Sequence, residues 1–278
     1  MATSVTWIGG TDNSWNTAAN WSDAAVPSAG DDVSIPAGAD DITSGLDQSA
    51  IALGMVRIED GYSGLIGDNT VVNNPTYLEV DCDSFECHGE CTSYIDLSHP
   101  AGAVDVTVTR TVRSDSGRYG MYLKGGDVDD LDIQGGAVGV ATFHGAGQTV
   151  ANVRVSGGSL HIGQLAAVTN YIVHGGIVKT WSESGFTTLK MNGGNVTLQD
   201  SVAGTWTVMG GHLFPNKWSG SPTLTVEGGT ADFSKSGLTR TLSVLNHNGG
   251  NIIYDPNVLT ITTRNAPASA VRISVSQL

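Results

Sequence analysis

Pairs of adjacent glycines recur through the second half of the chain, and their spacing limits the fold to something assembled from short repeated units. The doublets begin at Gly125, Gly135, Gly157, Gly175, Gly193, Gly210, Gly228 and Gly249, and from Gly157 onward the spacing is nearly constant, with only the last step longer. A period near 18 is too short for repeats built of paired helices. Two and four residues before each doublet the chain is almost always apolar, as at Val153/Val155, Tyr171/Val173, Leu189/Met191, Trp206/Val208 and Leu224/Val226. After the doublet the same alternation resumes at Leu160/Ile162, Val196/Leu198 and Ile252/Tyr254. A spacing of two on both sides is one inward face of a β-strand, broken by a corner.

Glycine suits that corner because it reaches positive φ without steric cost and allows backbones to approach closely. A strand, a glycine corner and a second strand cannot bury an apolar face alone, but stacked at the strand spacing they share a continuous core. The pattern therefore predicts an all-β fold, a parallel β-helix (β-solenoid) with coils of about 18 residues and terminal caps. The doublets at Gly125 and Gly135 are too close together for one coil, which implies an extra corner or loop there. Asp130, Thr180, Pro215 and His247 fall where an apolar residue is expected and predict rungs lacking one inward position.

Three regions follow from this pattern. Residues 1–44 hold Trp7, Trp15 and Trp21 and read as a Trp-rich N-terminal cap or attachment segment, with those tryptophans as candidate partner contacts. A solenoid end exposes unpaired strand edges and an open core, and large aromatics are well suited to plug it. Residues 45–255 are the solenoid. Residues 256–278, after Asp255-Pro256, read as a C-terminal cap or subunit-contact strands that include Val258 to Ile261, Val271, Ile273 and Val275.

Twenty-seven acidic against 13 basic residues give a net charge of −14. That balance predicts no nucleic-acid partner, because phosphate contact needs Lys and Arg, and no docking on anionic membranes. The opening MATSVTWIGG has no basic region followed by an apolar core, so the reading expects no export signal and retention in a cytoplasm.

The densest polar stretch, Asp81 to Cys91, contains Cys82, Cys87 and Cys91 with His88 beside them, and His99 follows. Zinc sites favour close thiolate pairs within a set of four ligands, so these residues are the metal candidates. Without a Cys-x-x-Cys pair, the alternative is buried thiols acting as small hydrophobes, and no metal or cofactor is expected. Asp127, Asp129, Asp130 and Asp132 follow Gly125-Gly126, but Val128 stands where a calcium-binding solenoid repeat has its third glycine, so they read as a solvated acidic turn. His144 and His174 are isolated corner residues, and no rung pairs two carboxylates as glycoside hydrolysis requires. The expectation is that the chain is not an enzyme.

Thr6-Trp7-Ile8-Gly9-Gly10, Trp15, Asn20-Trp21, Pro27, Gly30-Asp31-Asp32-Val33 and Ile35-Pro36 together resemble the leading segment of β-solenoid surface and structural proteins of tailed bacteriophages. Bacterial β-solenoid adhesins are similar in style. Val56 to Gly67, a strand, a glycine-tyrosine turn and a second strand, resembles them too. The resemblance covers the first quarter of the chain by motif and the rest by repeat style. It implies a structural virion protein assembled in a host cytoplasm. The expected role is a capsid decoration or cement protein, a homotrimer contacting the major capsid protein or other virion proteins. The alternative is a fibre, tailspike-like or adhesin β-helix that binds or cleaves host glycans.

Overall fold

Buried and exposed residues alternate along nearly every strand, and the buried sets line up from one coil to the next. The computed structural model describes the chain apart from residues 1–2, 69–74, 98–101, 113–118, 142–147, 164–165, 182–185, 200, 203, 237–238, 267–272 and 275–278. The fold is all-β, 57% strand, with parallel strands stacked as a β-solenoid at roughly 21 residues per turn. The only helical element among the described residues is a single 3₁₀ turn at Ala18–Asn20. His99, His144, Val271 and Val275 lie outside the described residues. Two compact units divide the chain, Met1–Ala151 and Asn152–Leu278.

In the second unit the coil length is the expected one. Tyr171 pairs with Leu189, Leu189 with Trp206, Trp206 with Leu224 and Leu224 with Leu245, so one inward column advances by a single doublet period at each coil and by slightly more at the last. A second inward column runs through Leu160, Val178, Val196, Leu213, Ala231 and Ile252 on the other side of the doublets. Between the two columns, each first glycine of a doublet rests on the backbone of the coil before. A Cβ on Gly175, Gly193, Gly210, Gly228 or Gly249 would meet the preceding corner's carbonyl oxygen at 2.3–2.5 Å. The second glycine carries the turn itself. Gly211 has φ +75°, and a Cβ there would sit 2.2 Å from the Gly194 carbonyl oxygen. Both demands exclude any side chain.

Aromatic rings also meet one another within that core. Tyr171 meets Phe186 edge-on at 5.3 Å, Trp206 meets Trp218 at 5.8 Å, and Trp218 meets Phe233 at 5.6 Å, all in T-shaped contacts. Such edge-to-face pairs are the geometry that the ring quadrupole favours. Polar residues also stack on the outside, where Asn170 donates to Asn152 at 3.0 Å and Thr188 donates to Asn170 at 2.7 Å.

The first unit has wider coils than the doublets suggest. Its inward column is Val5, Val33, Val56, Phe85, Val106 and Leu131, and every step along it is longer than the doublet period. The extra length sits in loops and in slips of register between Gln48 and Ala52 and between Val104 and Val106. Gly125-Gly126 and Gly135-Gly136 prove to be two different corners. The first joins the strands Met121–Lys124 and Asp127–Ile133, and the second joins Asp127–Ile133 to Ala137–Val140.

The four misfit positions have separate explanations. Asp130 is exposed in the bulge where Val104 pairs with Val128 but Val106 pairs with Leu131, so that Asp129 and Asp130 together stand opposite Asp105. Thr180, Pro215 and His247 instead fill the inward places, all buried, which corrects the expectation that those rungs lose a position. His247 sits on Val226, and a ring nitrogen bonds the Gly250 carbonyl at 3.3 Å. A buried polar group is tolerated where it finds a partner.

Candidate functional site

The N-terminal tryptophans are brought together, but toward the interior. Trp7 continues the inward column above Ile35, its backbone N–H bonded to the Ser34 carbonyl at 2.8 Å. Trp7 packs edge-on against Trp21 at 5.1 Å, and Trp15 against Trp21 at 4.7 Å. The indole N–H groups of Trp7 and Trp21 are satisfied locally, Trp7 donating to the Asp40 carbonyl at 2.9 Å and Trp21 to the Trp15 carbonyl at 2.7 Å. All three are at most 1% exposed, which puts their side chains inside the segment. The exposed large hydrophobic residue among the described residues of this segment is Ile8, at 52%.

A buried asparagine holds the loop that carries them. Asn20 donates to the Asp12 carbonyl and carboxylate, both at 2.8 Å, and to the Ser14 carbonyl at 3.0 Å. Its own oxygen accepts from the Thr11 N–H at 3.1 Å. Hydrogen bonds from the Ser14 backbone and then from Thr17 hold the Asp12 carboxyl below the usual carboxylate range. Sequence reasoning placed Asn20 only as the neighbour of Trp21 in a motif, because its role depends on a backbone path that only the folded loop defines.

The cysteines form a pair and a single residue. Cys87 closes the strand Leu78–Cys87 on an inward position, and the turn His88-Gly89-Glu90 returns Cys91 beside it, with the two sulfurs 3.9 Å apart. Cys82 lies in the same strand on Leu53 of the preceding coil. All three thiols are free and buried. Burial pushes the Cys82 thiol up to about 12. Hydrogen bonding to Cys91, together with burial, pushes Cys87 up as well, and the same contact draws Cys91 down. His88 faces the other way: one ring nitrogen is 2.8 Å from the Thr109 hydroxyl and the other 3.2 Å from the Glu86 carboxylate. Among the described residues no group of three or more His, Cys, Asp or Glu side chains is placed to hold a metal ion, so Cys82, Cys87, Cys91 and His88 do not converge as a ligand set. Strand alternation is the reason, since residues 87 and 88 take opposite faces.

Outside the first unit's core, charges interlock across coils. Arg57 Nε donates to Glu86 Oε2 at 2.7 Å, and Arg110 bridges Asp60 at 3.0 Å and Glu90 at 3.3 Å. Partial burial alone would raise the Glu86 carboxyl, but Arg57 and then His88 outweigh it and hold it below its ordinary value. Farther along, Tyr94 and Tyr122 stack in parallel at 4.7 Å, Tyr77 packs edge-on to Tyr94, and Lys124 lies 4.4 Å over the Tyr77 ring while pairing with Asp96 at 2.9 Å. Asp127 accepts from Thr149 and Asp132 from Gln134, while Asp129 and Asp130 are exposed, so the acidic run is spread along a strand. His174 is an exposed corner residue whose ring nitrogen bonds the Asn192 amide at 2.9 Å.

The second unit presents a feature that the sequence reading passed over. Trp181, at 42% exposed, and Ile177, at 45%, stand on the outer face of the same coil. Trp181 follows the strand Ile177–Thr180, and its N–H still bonds the Ile162 carbonyl at 2.8 Å, so it continues the ladder. The signal was an aromatic one place beyond an inward threonine. No protein family, no curated protein and no solved structure matches the chain.

Proposed function

We propose that the protein is a non-enzymatic structural component of a tailed-phage virion, a head decoration or cement protein that acts as a homotrimer on the major capsid protein or other virion proteins. The observation that carries this reading is the stack of glycine corners, in which backbone rests directly on backbone from Gly175 to Gly250. A coil locked at its corner by main-chain contacts and along its strands by parallel ladders has little freedom to bend, which suits a strut under load. The outer charges of the first unit fit the same role, because Arg57 pairs with Glu86 across coils and His88 of the same coil joins that carboxylate. The resemblance of residues 6–36 and 56–67 to phage solenoid proteins points in the same direction.

Function on this reading is contact. The protein adds interface area between capsid subunits and so raises the free energy needed to separate them. Because the tryptophans are buried, they position the contact loop and do not touch the partner. The loop's exposed Ile8 is the better contact residue.

Mass spectrometry of purified virions from the host that carries this gene tests the proposal. The chain is expected at a copy number comparable to the major capsid protein. Its absence from intact virions overturns the reading.

A further inference from the structure

The strand Thr92–Asp96 is covered on the face that turns away from the core. Ile95 stacks in the core between Leu78 and Leu123, so Tyr94 and Asp96, which flank it, point the other way. Tyr77, Tyr94 and Tyr122 are nevertheless buried together, with Leu65 and Tyr119 packed against them. Beside these rings Asp96 is 4% exposed, a carboxylate withdrawn from water.

Three ionisable residues occupy successive strands next to the tyrosines. Glu79 pairs in register with Asp96, and Asp96 with Lys124, so their side chains share one face at the strand spacing of about 4.8 Å. Lys124 Nζ lies 2.9 Å from Asp96 Oδ2 and 4.4 Å over the Tyr77 ring, which holds the amine against the carboxyl. The other ion pairs described above use arginine or histidine, whereas a lysine amine that gives up a proton is a nucleophile toward a carboxyl carbon. Burying two opposite charges is costly, and a neutral amide in their place removes that cost.

We propose that Lys124 and Asp96 join spontaneously as a side-chain amide that staples two neighbouring coils. One ammonium proton passes from Lys124 Nζ to Asp96 Oδ2 along the ion pair. The freed lone pair attacks Asp96 Cγ and forms the C–N bond, while the carbonyl electrons move onto Oδ1. Glu79 takes a second proton from the nitrogen and delivers it to Oδ2. As the electrons return from Oδ1, the bond from Cγ to Oδ2 breaks and Oδ2 leaves as water. The third proton stays on the amide nitrogen, so an ammonium and a carboxylate give one amide and one water without any external reagent. Reacting groups held in place this way reach effective molarities of about 10⁵–10⁸ M. The tyrosine cover keeps out the water that would reverse the step. This inference does not rest on a virion location.

Intact-mass spectrometry of the full chain, purified folded and then denatured, tests it. The mass is expected to be one water below the sequence value, after allowance for removal of Met1, and peptide mapping should recover a branched peptide joining Asp96 to Lys124. Lys124→Arg keeps an ion pair with Asp96 but lacks the nucleophile, and should show the full sequence mass. Glu79→Gln should slow the loss of water by about a hundredfold in samples taken at intervals after synthesis, whereas Glu86→Gln should leave it unchanged. Circular dichroism establishes that the variants keep their strands. A parent chain at its full sequence mass, or a loss of water that persists in Lys124→Arg, overturns the inference. So does a loss that maps to Asp60-Gly61 and is reversed by hydroxylamine, since that is a backbone succinimide.

Discussion

Arg264 lies in register on Leu245, so the inward column that runs through Tyr171, Leu189, Trp206 and Leu224 meets a guanidinium at its last described strand. That strand, Leu259–Asn265, is exposed at every position from Thr262 onward. An inward-facing charge at a sheet edge discourages another chain from adding to it. Arg264→Leu is therefore expected to promote concentration-dependent assembly into longer particles. Sedimentation velocity over a range of concentrations would detect it, and an unchanged single species would show that the edge is protected by something else.

Gly211 offers no room for a methyl group and holds a positive φ. Gly211→Ala should cost about 2–4 kcal/mol, since strain and a backbone clash act together. Gly102 is the control, because nothing lies within 4 Å of a Cβ there and its φ is ordinary. Gly102→Ala should be close to neutral, and urea denaturation of the pair measures the contrast.

Trp21 touches both other tryptophans of the N-terminal plug. Trp21→Ala should destabilise the protein by about 3–5 kcal/mol, as expected for an emptied tryptophan site. Limited proteolysis should then cut first within residues 1–44, leaving the second unit intact. Simultaneous loss of both units would mean that the plug governs the whole chain.

Glu86 supplies a pH dependence whose sign is fixed by its partners. Its carboxyl is held below the ordinary value of 4.5 in the folded chain, so the stabilisation is present above that value and is lost as pH falls through the lower folded one. Arg57 and Glu86 are both partly exposed, at 37% and 27%, which limits the contribution to about 1 kcal/mol or less. Glu86→Gln should therefore lower the melting temperature at pH 7, and the difference from the parent should narrow as the pH is taken well below 4.5. A difference that stays constant with falling pH would assign the effect to packing.

The sequence made the coils of the second unit legible because each one repeats the same three instructions: an inward pair, a glycine doublet and another inward pair. Tyr171, Leu189, Trp206 and Leu224 differ in size yet share a place, and period rather than identity reveals it. The first unit hides the same geometry under loops of unequal length, so Val56 and Phe85 pair across a long intervening stretch with no local sign of it. Burial of Trp7, Trp15 and Trp21 follows from the return of the chain through Ala18–Asn20, a long-range fact that composition does not carry. Cysteine spacing likewise brought four candidates into view, but the alternation of faces at Cys87 and His88 separates them.

Because each first glycine of a doublet rests on the carbonyl just before the preceding doublet, every coil presents to the next the same seat that it received. Length is then an adjustable property. Removing or duplicating one segment of about 18 residues restores an identical joint on both sides and changes the stack by one strand spacing, about 4.8 Å. Selection could set the reach of such a chain in fixed increments, as one cuts a ruler, while the chemistry displayed on its outer face changes independently, coil by coil.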